Sequence, residues 1–274
     1  MLHHRRSHSS SDWRDFAESA DRAGGGSVRE DPIILIPGIG PGVPMYLTLL
    51  RTIMHATGAP IFILEAPHIH MKAPWSEGWG EVMEEHEFQL NFRNMLLAHG
   101  YTTDVRPTVV AHSYGCFLAK WLLHRNPYIK LRGAVLTDPL VFMPVFPEVS
   151  YNICHKKPKT PYEHLVKVLL KEPGIAKAFH RHSFWSDVCL WDADLKEDTH
   201  AKVAVLLSKK DTFLPAQKVF EYLKHSTVIP RDRFYVQMLP GHHGEFMLHP
   251  RQLDHVCRML TFVQLQDGAA EPSG

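Results

Sequence analysis

Five residues, Ala111-His112-Ser113-Tyr114-Gly115, lie between a short apolar run, Val109-Val110, and a helix-like stretch from Cys116 to Leu123. In order they give a strand, a sharp turn and a helix, with a serine at the apex. A turn this tight demands small residues two before and two after the apex, and Ala111 and Gly115 meet that demand, alanine standing where glycine is commoner. The turn lifts the serine hydroxyl above the carboxyl edge of a sheet. The helix behind it points its free N–H groups at the place where negative charge would develop. Small-x-Ser-x-small is frequent by chance, so the rest of the chain has to supply the sheet and the partners.

It supplies the sheet. Pro32–Ile36 is a continuous apolar run of strand length, as expected of a strand buried on both faces. It breaks at Pro37-Gly38-Ile39-Gly40-Pro41-Gly42. A helix is expected from about Pro44 to His55, with Met45, Leu47, Leu49, Leu50 and Ile53 available for its buried side. Ile61–Leu64 reads as a second strand. A loop with His68, His70, Trp75 and Trp79 follows, and then an amphipathic helix from Glu81 to His99, ended by Gly100. Leu131–Thr137 is a strand ending in Asp138-Pro139. The alternation fails from Leu140 to His200, where proline clusters, aromatics and short helical pieces such as Glu163–Lys171 occur. It resumes with a strand at Val203–Leu207, a helix after Pro215, a strand at Arg233–Leu239 and a helix from Pro250 to Gln264. Apolar strands alternating with helices predict a mostly parallel sheet covered by helices on both faces. Ligands bind beyond the carboxyl ends of such strands. The loops 37–42, 66–80, 111–115, 138–139, 208–215 and 240–246 all fall there, which predicts a single site.

Composition narrows the class. The 274 residues are 45% hydrophobic and 22% charged, which suits one domain with a full core and room for an inserted cap. A formal net charge of +1 gives no sign of a nucleic-acid partner. Cys116, Cys154, Cys189 and Cys257 are scattered without Cys-x-x-Cys spacing, which suggests reduced thiols and a cytoplasmic setting. Cys116 is expected to pack on its helix. No apolar run has the length of a membrane span, although Val141-Phe142-Met143-Pro144-Val145-Phe146 offers a conceivable membrane contact. The first residues are basic and polar without the apolar centre of a secretory signal, and residues 1–30 and 267–274 read as disordered tails. With 20 histidines, metal sites need a check. His68/His70, His180/His182 and His242/His243 lack the cysteine or carboxylate spacing of a zinc site, so no metal is expected.

The residue order now matters: Ser113, then an acid, then a histidine near the last strand. That order, with the strand–turn–helix around Ser113, resembles the α/β-hydrolase fold and its nucleophile elbow over about Asp31–Leu265. The resemblance implies a serine hydrolase of the esterase or lipase kind, with Ser113 as nucleophile activated by a base. Two bases stand together. A Gly-His pairing favours His242. The spacing to Pro250 favours His243, as does His243-Gly244-Glu245-Phe246, similar to the His-x-acid-aromatic run of several lipases; His243 is preferred. The carboxylate that orients the base is Asp211, whose Asp211-Thr212-Phe213-Leu214-Pro215 resembles the family's Asp-x-x-x-Pro. Asp138 is the rival, at a strand end where some lipases of this fold carry their acid. The oxyanion hole would take backbone N–H groups from Tyr114 and from Ile39, since Pro37-Gly38-Ile39 sits where the family has His-Gly-x.

Residues 31–139 and 201–266 would form the core, and 140–200 an inserted helical cap. Phe142, Phe146, Tyr151, Phe179, Phe184, Trp185 and Trp191 would be available to its inner face, which fits an apolar or acyl ester as substrate and calls for no cofactor. The stretch from Asp138 to Asn152 also resembles uncharacterised fungal members of the fold. Two other readings compete. Gly38, Gly40 and Gly42 with Glu65 imitate a dinucleotide fingerprint, but the third glycine is misplaced and Pro41 and Pro44 intrude. A non-catalytic member of the fold that binds a small apolar ligand would keep the same pocket.

Overall fold

Six strands, all parallel, carry the apolar runs. They are β1 Ile33–Ile36, β2 Ile61–Ile63, β3 Thr108–His112, β4 Gly133–Thr137, β5 Lys202–Ser208 and β6 Phe234–Leu239, ordered β2-β1-β3-β4-β5-β6. The computed structural model describes residues 30–71, 75, 81–182, 185–197 and 201–265. The expected tails, Glu30 apart, and Trp79 and Phe184 lie outside these residues, as does the side chain of Trp185.

Side-chain alternation along the strands divides the core into two layers. Ile33, Leu35, Val110, Val135, Ala204 and Leu206 face one way and meet helices α1 (Leu47–Thr57) and α7 (Pro250–Gln264) through Leu49, Ile53, Leu253, Val256 and Leu260. Ile34, Ile36, Val109, Ala111, Ala134, Leu136, Val203 and Val205 face the other way. There they meet α2 (Glu85–Ala98), α3 (Gly115–Leu123) and α6 (Ala216–His225) through Phe88, Phe92, Leu96, Leu118, Leu122, Val219 and Leu223. The four inner strands β1, β3, β4 and β5 are buried on both faces, Lys202 apart, which is why they read as apolar runs rather than alternating ones; the edge strands β2 and β6 are only partly buried.

Two expected elements begin later than the sequence suggests. Pro44 falls in one turn of 3-10 helix, Val43–Tyr46, and α1 starts only at Leu47. The change of pitch rotates the face, so Met45 and Leu47 are exposed while Tyr46 is buried. Glu81–Glu84 stays outside α2, with Val82 and Met83 packed on the core from the loop. Between β4 and β5 run several short helices, among them α4 (Pro161–Leu170) and α5 (Pro173–Arg181). Thr160 and Glu163 close a reciprocal capping box at the start of α4, and Glu172 caps α5. Val141 and Phe142 turn inward here; of Val141–Phe146, only Val145 is exposed. Among the described residues, no helix is long and apolar enough to cross a membrane.

The register brings the functional loops level. Ile36 pairs with Ala111, and His112 with Thr137, so residues 37, 113 and 138 leave the sheet at one edge. Gly115 fixes how closely they come. A Cβ there would sit 2.5 Å from both the Ile36 and Pro37 carbonyl oxygens. Gly115→Ala is therefore expected to destabilise the fold by about 3 kcal/mol or more, because backbone rather than a pliable side chain must yield. Urea unfolding of the purified variant measures this, and a midpoint equal to that of the wild type would refute the close approach.

Candidate active site

Ser113 stands at the end of β3 with φ 54°, in the left-handed region that a side-chain-bearing residue occupies only when its surroundings force it. Its own N–H donates to the Thr137 carbonyl at 2.9 Å, and its carbonyl accepts from Cys116 N–H at 3.1 Å, so the apex is held from both sides. Cys116 is fully buried, and burial pushes its thiol well above its ordinary pKa, in keeping with packing.

The β6–α7 loop brings His243 to the serine. Its Nε2 lies 2.8 Å from Ser113 Oγ, and its Nδ1 lies 2.7 Å from Asp211 Oδ2, which comes from the loop after β5. The other Asp211 oxygen accepts from the N–H groups of Phe213 and Leu214 at 2.7 and 2.9 Å. With the carboxylate so held, Nδ1–H donates to Asp211, and Nε2 is left to accept from the serine hydroxyl. Burial, the largest effect on His243, lowers its pKa. The charge and hydrogen bond of Asp211, with the charge of Asp138, outweigh it and leave the imidazole above its ordinary value. The Phe213 ring stands edge-on to the imidazole at 4.9 Å.

The neighbouring histidine has other surroundings. The His242 side chain is exposed, and its N–H donates to Glu245 Oε2 at 2.6 Å. Glu245 thus closes the turn, and Phe246 is buried against His112 at 5.6 Å between ring centres. Asp138 is buried and also has a positive φ, 44°. Its Oδ1 accepts from Ser208 N–H at 2.6 Å, and its Oδ2 accepts from the Ser208 hydroxyl at 2.9 Å and from Gly244 N–H at 2.7 Å. Asp138 therefore binds the backbone next to His243 and fastens that loop to β5. Burial drives its carboxyl up to about 6, against the pull of the His243 charge, with the Asp211 charge adding to the rise. Asp138, Asp211 and His243 offer ligand atoms within 4.8 Å of one another. Those atoms make the hydrogen bonds just described.

Tyr114 follows the serine and immediately precedes α3, and Ile39 lies in the loop after β1, next to Gly38. The loop touches the apex: a Cβ on Gly38 would lie 2.9 Å from Ser113 Cβ. The dinucleotide reading calls for a helix that opens at the third glycine, whereas a 3-10 turn, Val43–Tyr46, separates Gly42 from α1. Three residues with no sequence signal join the site. Tyr46 hydrogen-bonds Gly38 and His112, the Tyr162 hydroxyl donates to the His243 carbonyl at 2.7 Å, and Ser208 holds Asp138. Asn152 Nδ2 reaches the Phe213 carbonyl at 3.2 Å, so the segment between β4 and β5 touches both the acid loop and the histidine loop. Its aromatics divide: Phe179 packs on Tyr114 at 5.6 Å, Phe142 is buried in the core, and Tyr151 and Trp191 are exposed.

No family model matches the chain, and no curated protein matches it in sequence. Solved structures do match. A membrane phospholipase A, described as a bacterial virulence factor, superposes with a TM-score of 0.59 at 16% identity, over 88% of this chain and 81% of its own. The chain has the α/β-hydrolase fold. A hydrolase from Oleispira antarctica shares that fold with a TM-score of 0.58 at 14% identity, over 88% and 93% of the two chains. The monoacylglycerol lipase of Paleococcus ferrophilus shares it with a TM-score of 0.54 at 16% identity, over 87% and 96%. These matches carry nothing for the likeness to fungal members. Identities this low speak for the fold alone.

Proposed function

We propose that the protein is a serine hydrolase that cleaves a carboxylic ester, with Ser113 as nucleophile, His243 as base and Asp211 as the carboxylate that orients it. One observation carries the reading: an unbroken hydrogen-bonded line from Asp211 through His243 to Ser113 Oγ, ending on a residue held at positive φ. A serine hydroxyl is inert at neutral pH until a base takes its proton. As Ser113 Oγ attacks the ester carbonyl, its proton passes to His243 Nε2, and the imidazolium is stabilised by Asp211. The N–H groups of Ile39 and Tyr114 receive the oxyanion. The imidazolium then protonates the leaving alcohol, and water, activated by the same histidine, clears the acyl-enzyme. That solved structures of this fold include a phospholipase and a monoacylglycerol lipase is consistent with ester chemistry.

The segment 140–200 serves in this reading as the cap over the site, tethered by Tyr162 and Asn152. A cavity of about 510 Å³ between β2, α2 and α3 supports an apolar acyl group. Phe88, Phe92, Met95 and Leu118 line it. So does His68, whose ring lies 6.1 Å from that of Tyr114 and which burial, with the neighbouring His70 and His182, keeps neutral with a pKa of about 4.

Active-site labelling tests the reading. A fluorophosphonate probe should modify the wild type at one residue, with the adduct on the peptide containing Ser113. A folded protein that resists the probe and turns over no p-nitrophenyl ester would refute it. A pH dependence follows as well. The base works only when neutral, and His243 holds its proton to a pH above the ordinary histidine value. The ratio kcat/KM is therefore expected to rise with pH through a single ionisation above that value and to fall about tenfold per unit well below it. A flat profile from pH 5 to 8 would contradict the assignment of the base.

A further inference from the structure

We infer that Tyr46 is a positioning residue for the oxyanion-binding loop, acting through one hydroxyl shared between Gly38 and His112. The inference rests on the reading of Ser113, Ile39 and Tyr114 given above.

The Tyr46 side chain is buried at the end of the 3-10 turn, its ring edge-on to that of His112 at 5.8 Å. The hydroxyl oxygen accepts from Gly38 N–H at 2.7 Å, and His112 Nδ1 lies 2.7 Å on its other side. A hydroxyl has one proton to give, and His112 Nδ1 is the acceptor beside it. In this inference the proton goes to Nδ1, and the imidazole carries its own proton on Nε2, a buried atom with no hydrogen-bond partner among the described residues. Burial, and then the charge of His243, hold His112 neutral by lowering its pKa well below the ordinary value. Neutrality matters at this place. The His112 and His243 rings are 5.2 Å apart, and a second cation would oppose the imidazolium that the reaction forms on His243.

The two residues that the hydroxyl joins are each one step from an acting atom: Gly38 precedes Ile39, and His112 precedes Ser113. Glycine is obligatory at 38, because a Cβ would lie 2.9 Å from Ser113 Cβ and 3.0 Å from His112 Nδ1. Glycine also brings the greatest backbone freedom of any residue. Left unpinned, the peptide that carries the Ile39 N–H would sample several directions, and oxyanion stabilisation depends on donors aimed before the charge appears. The Tyr46 hydroxyl removes that freedom at the residue where sterics forbid a side chain. In Tyr46→Phe, the Gly38 N–H and His112 Nδ1 would both lose their buried partner, and the loop would turn to recover one.

The test compares wild type with Tyr46→Phe at a temperature where both are folded. With p-nitrophenyl butyrate, the variant is expected to lose roughly 10- to 100-fold in kcat, with KM within about twofold, as for a contact made only in the transition state. Nitrogen-15 NMR of histidine-labelled protein should find His112 with its proton on Nε2 in the wild type, and its Nδ1 resonance should move in the variant. An active wild type whose Tyr46→Phe variant keeps its kcat overturns the positioning role and leaves the proposed function standing. A proton on Nδ1 of His112 in the wild type overturns the inferred hydrogen bond whatever the rates. A wild type that neither labels nor turns over ester overturns the proposed function and the role of Tyr46 together.

Discussion

Ser113→Ala is expected to lower kcat for ester hydrolysis by about 10⁵- to 10⁶-fold and to abolish labelling by a fluorophosphonate. The side chain removed is the proposed nucleophile, and no neighbouring group is placed to take over that role. His242 is exposed and bonded through its backbone to Glu245, and Cys116 is buried with its thiol held protonated. The fold should tolerate the change. Ser113 makes its structural contacts through backbone N–H and carbonyl groups, and its hydroxyl binds only His243 among the contacts described. Alanine keeps the Cβ that meets Gly38, although the left-handed φ of 54° stays as costly for alanine as for serine. Thermal unfolding within a few degrees of wild type, with turnover at the uncatalysed level, is the expected pair of results. Turnover retained by the folded variant would remove Ser113 from the mechanism.

The second large effect distinguishes the two buried acids. Asp211→Asn is expected to lower kcat by about 10³- to 10⁴-fold. The amide cannot stabilise an imidazolium, and it lets His243 take the tautomer with its proton on Nε2, which cannot accept from Ser113. The same change withdraws the charge that lifts the His243 pKa, so the ionisation seen in kcat/KM should move to lower pH. Asp138→Asn should cost only about tenfold in kcat, because Asp138 bonds Gly244 and Ser208 rather than the imidazole. Its signature is in stability. The folded-state pKa of about 6 lies above the ordinary aspartate value of 3.8, so the folded protein binds the extra proton between those values. Stability from this group therefore falls as pH rises from about 4 to 6, by on the order of 2–3 kcal/mol. The slope should vanish in Asp138→Asn. Equal losses of kcat in the two variants would contradict the assignment of Asp211.

What the sequence disclosed and what it hid follow from contact distance. The strands were legible because burial on both faces leaves unbroken apolar runs, as in Ile33–Ile36 and Val203–Leu207. Ser113, His243 and Asp211 were legible because each follows a strand at the same sheet edge. The choice between His242 and His243 was harder, since adjacent residues share every positional signal, and only the turn closed by Glu245 sends one outward. Tyr46, Ser208 and Tyr162 were hidden. Their bonds to His112, Asp138 and His243 span 66, 70 and 81 residues, and a long-range hydrogen bond leaves no periodic trace. Met45 and Leu47 misled for a local reason: a 3-10 turn shifts the phase of the helix that follows it.

Gly115 rests its backbone on the carbonyls of Ile36 and Pro37, and Gly38 lies against Ser113. The two segments that carry the Ile39 and Tyr114 N–H groups are thereby clamped to β1 and β3, adjacent strands of one ladder. Under the proposed mechanism, the separation of those segments follows the spacing of two hydrogen-bonded strands, about 4.8 Å. A site built on that ladder keeps its spacing while the segments above it change. In that mechanism, the helices between β4 and β5 could be recut, as long as the contacts of Asn152 and Tyr162 are kept, without shifting those two segments.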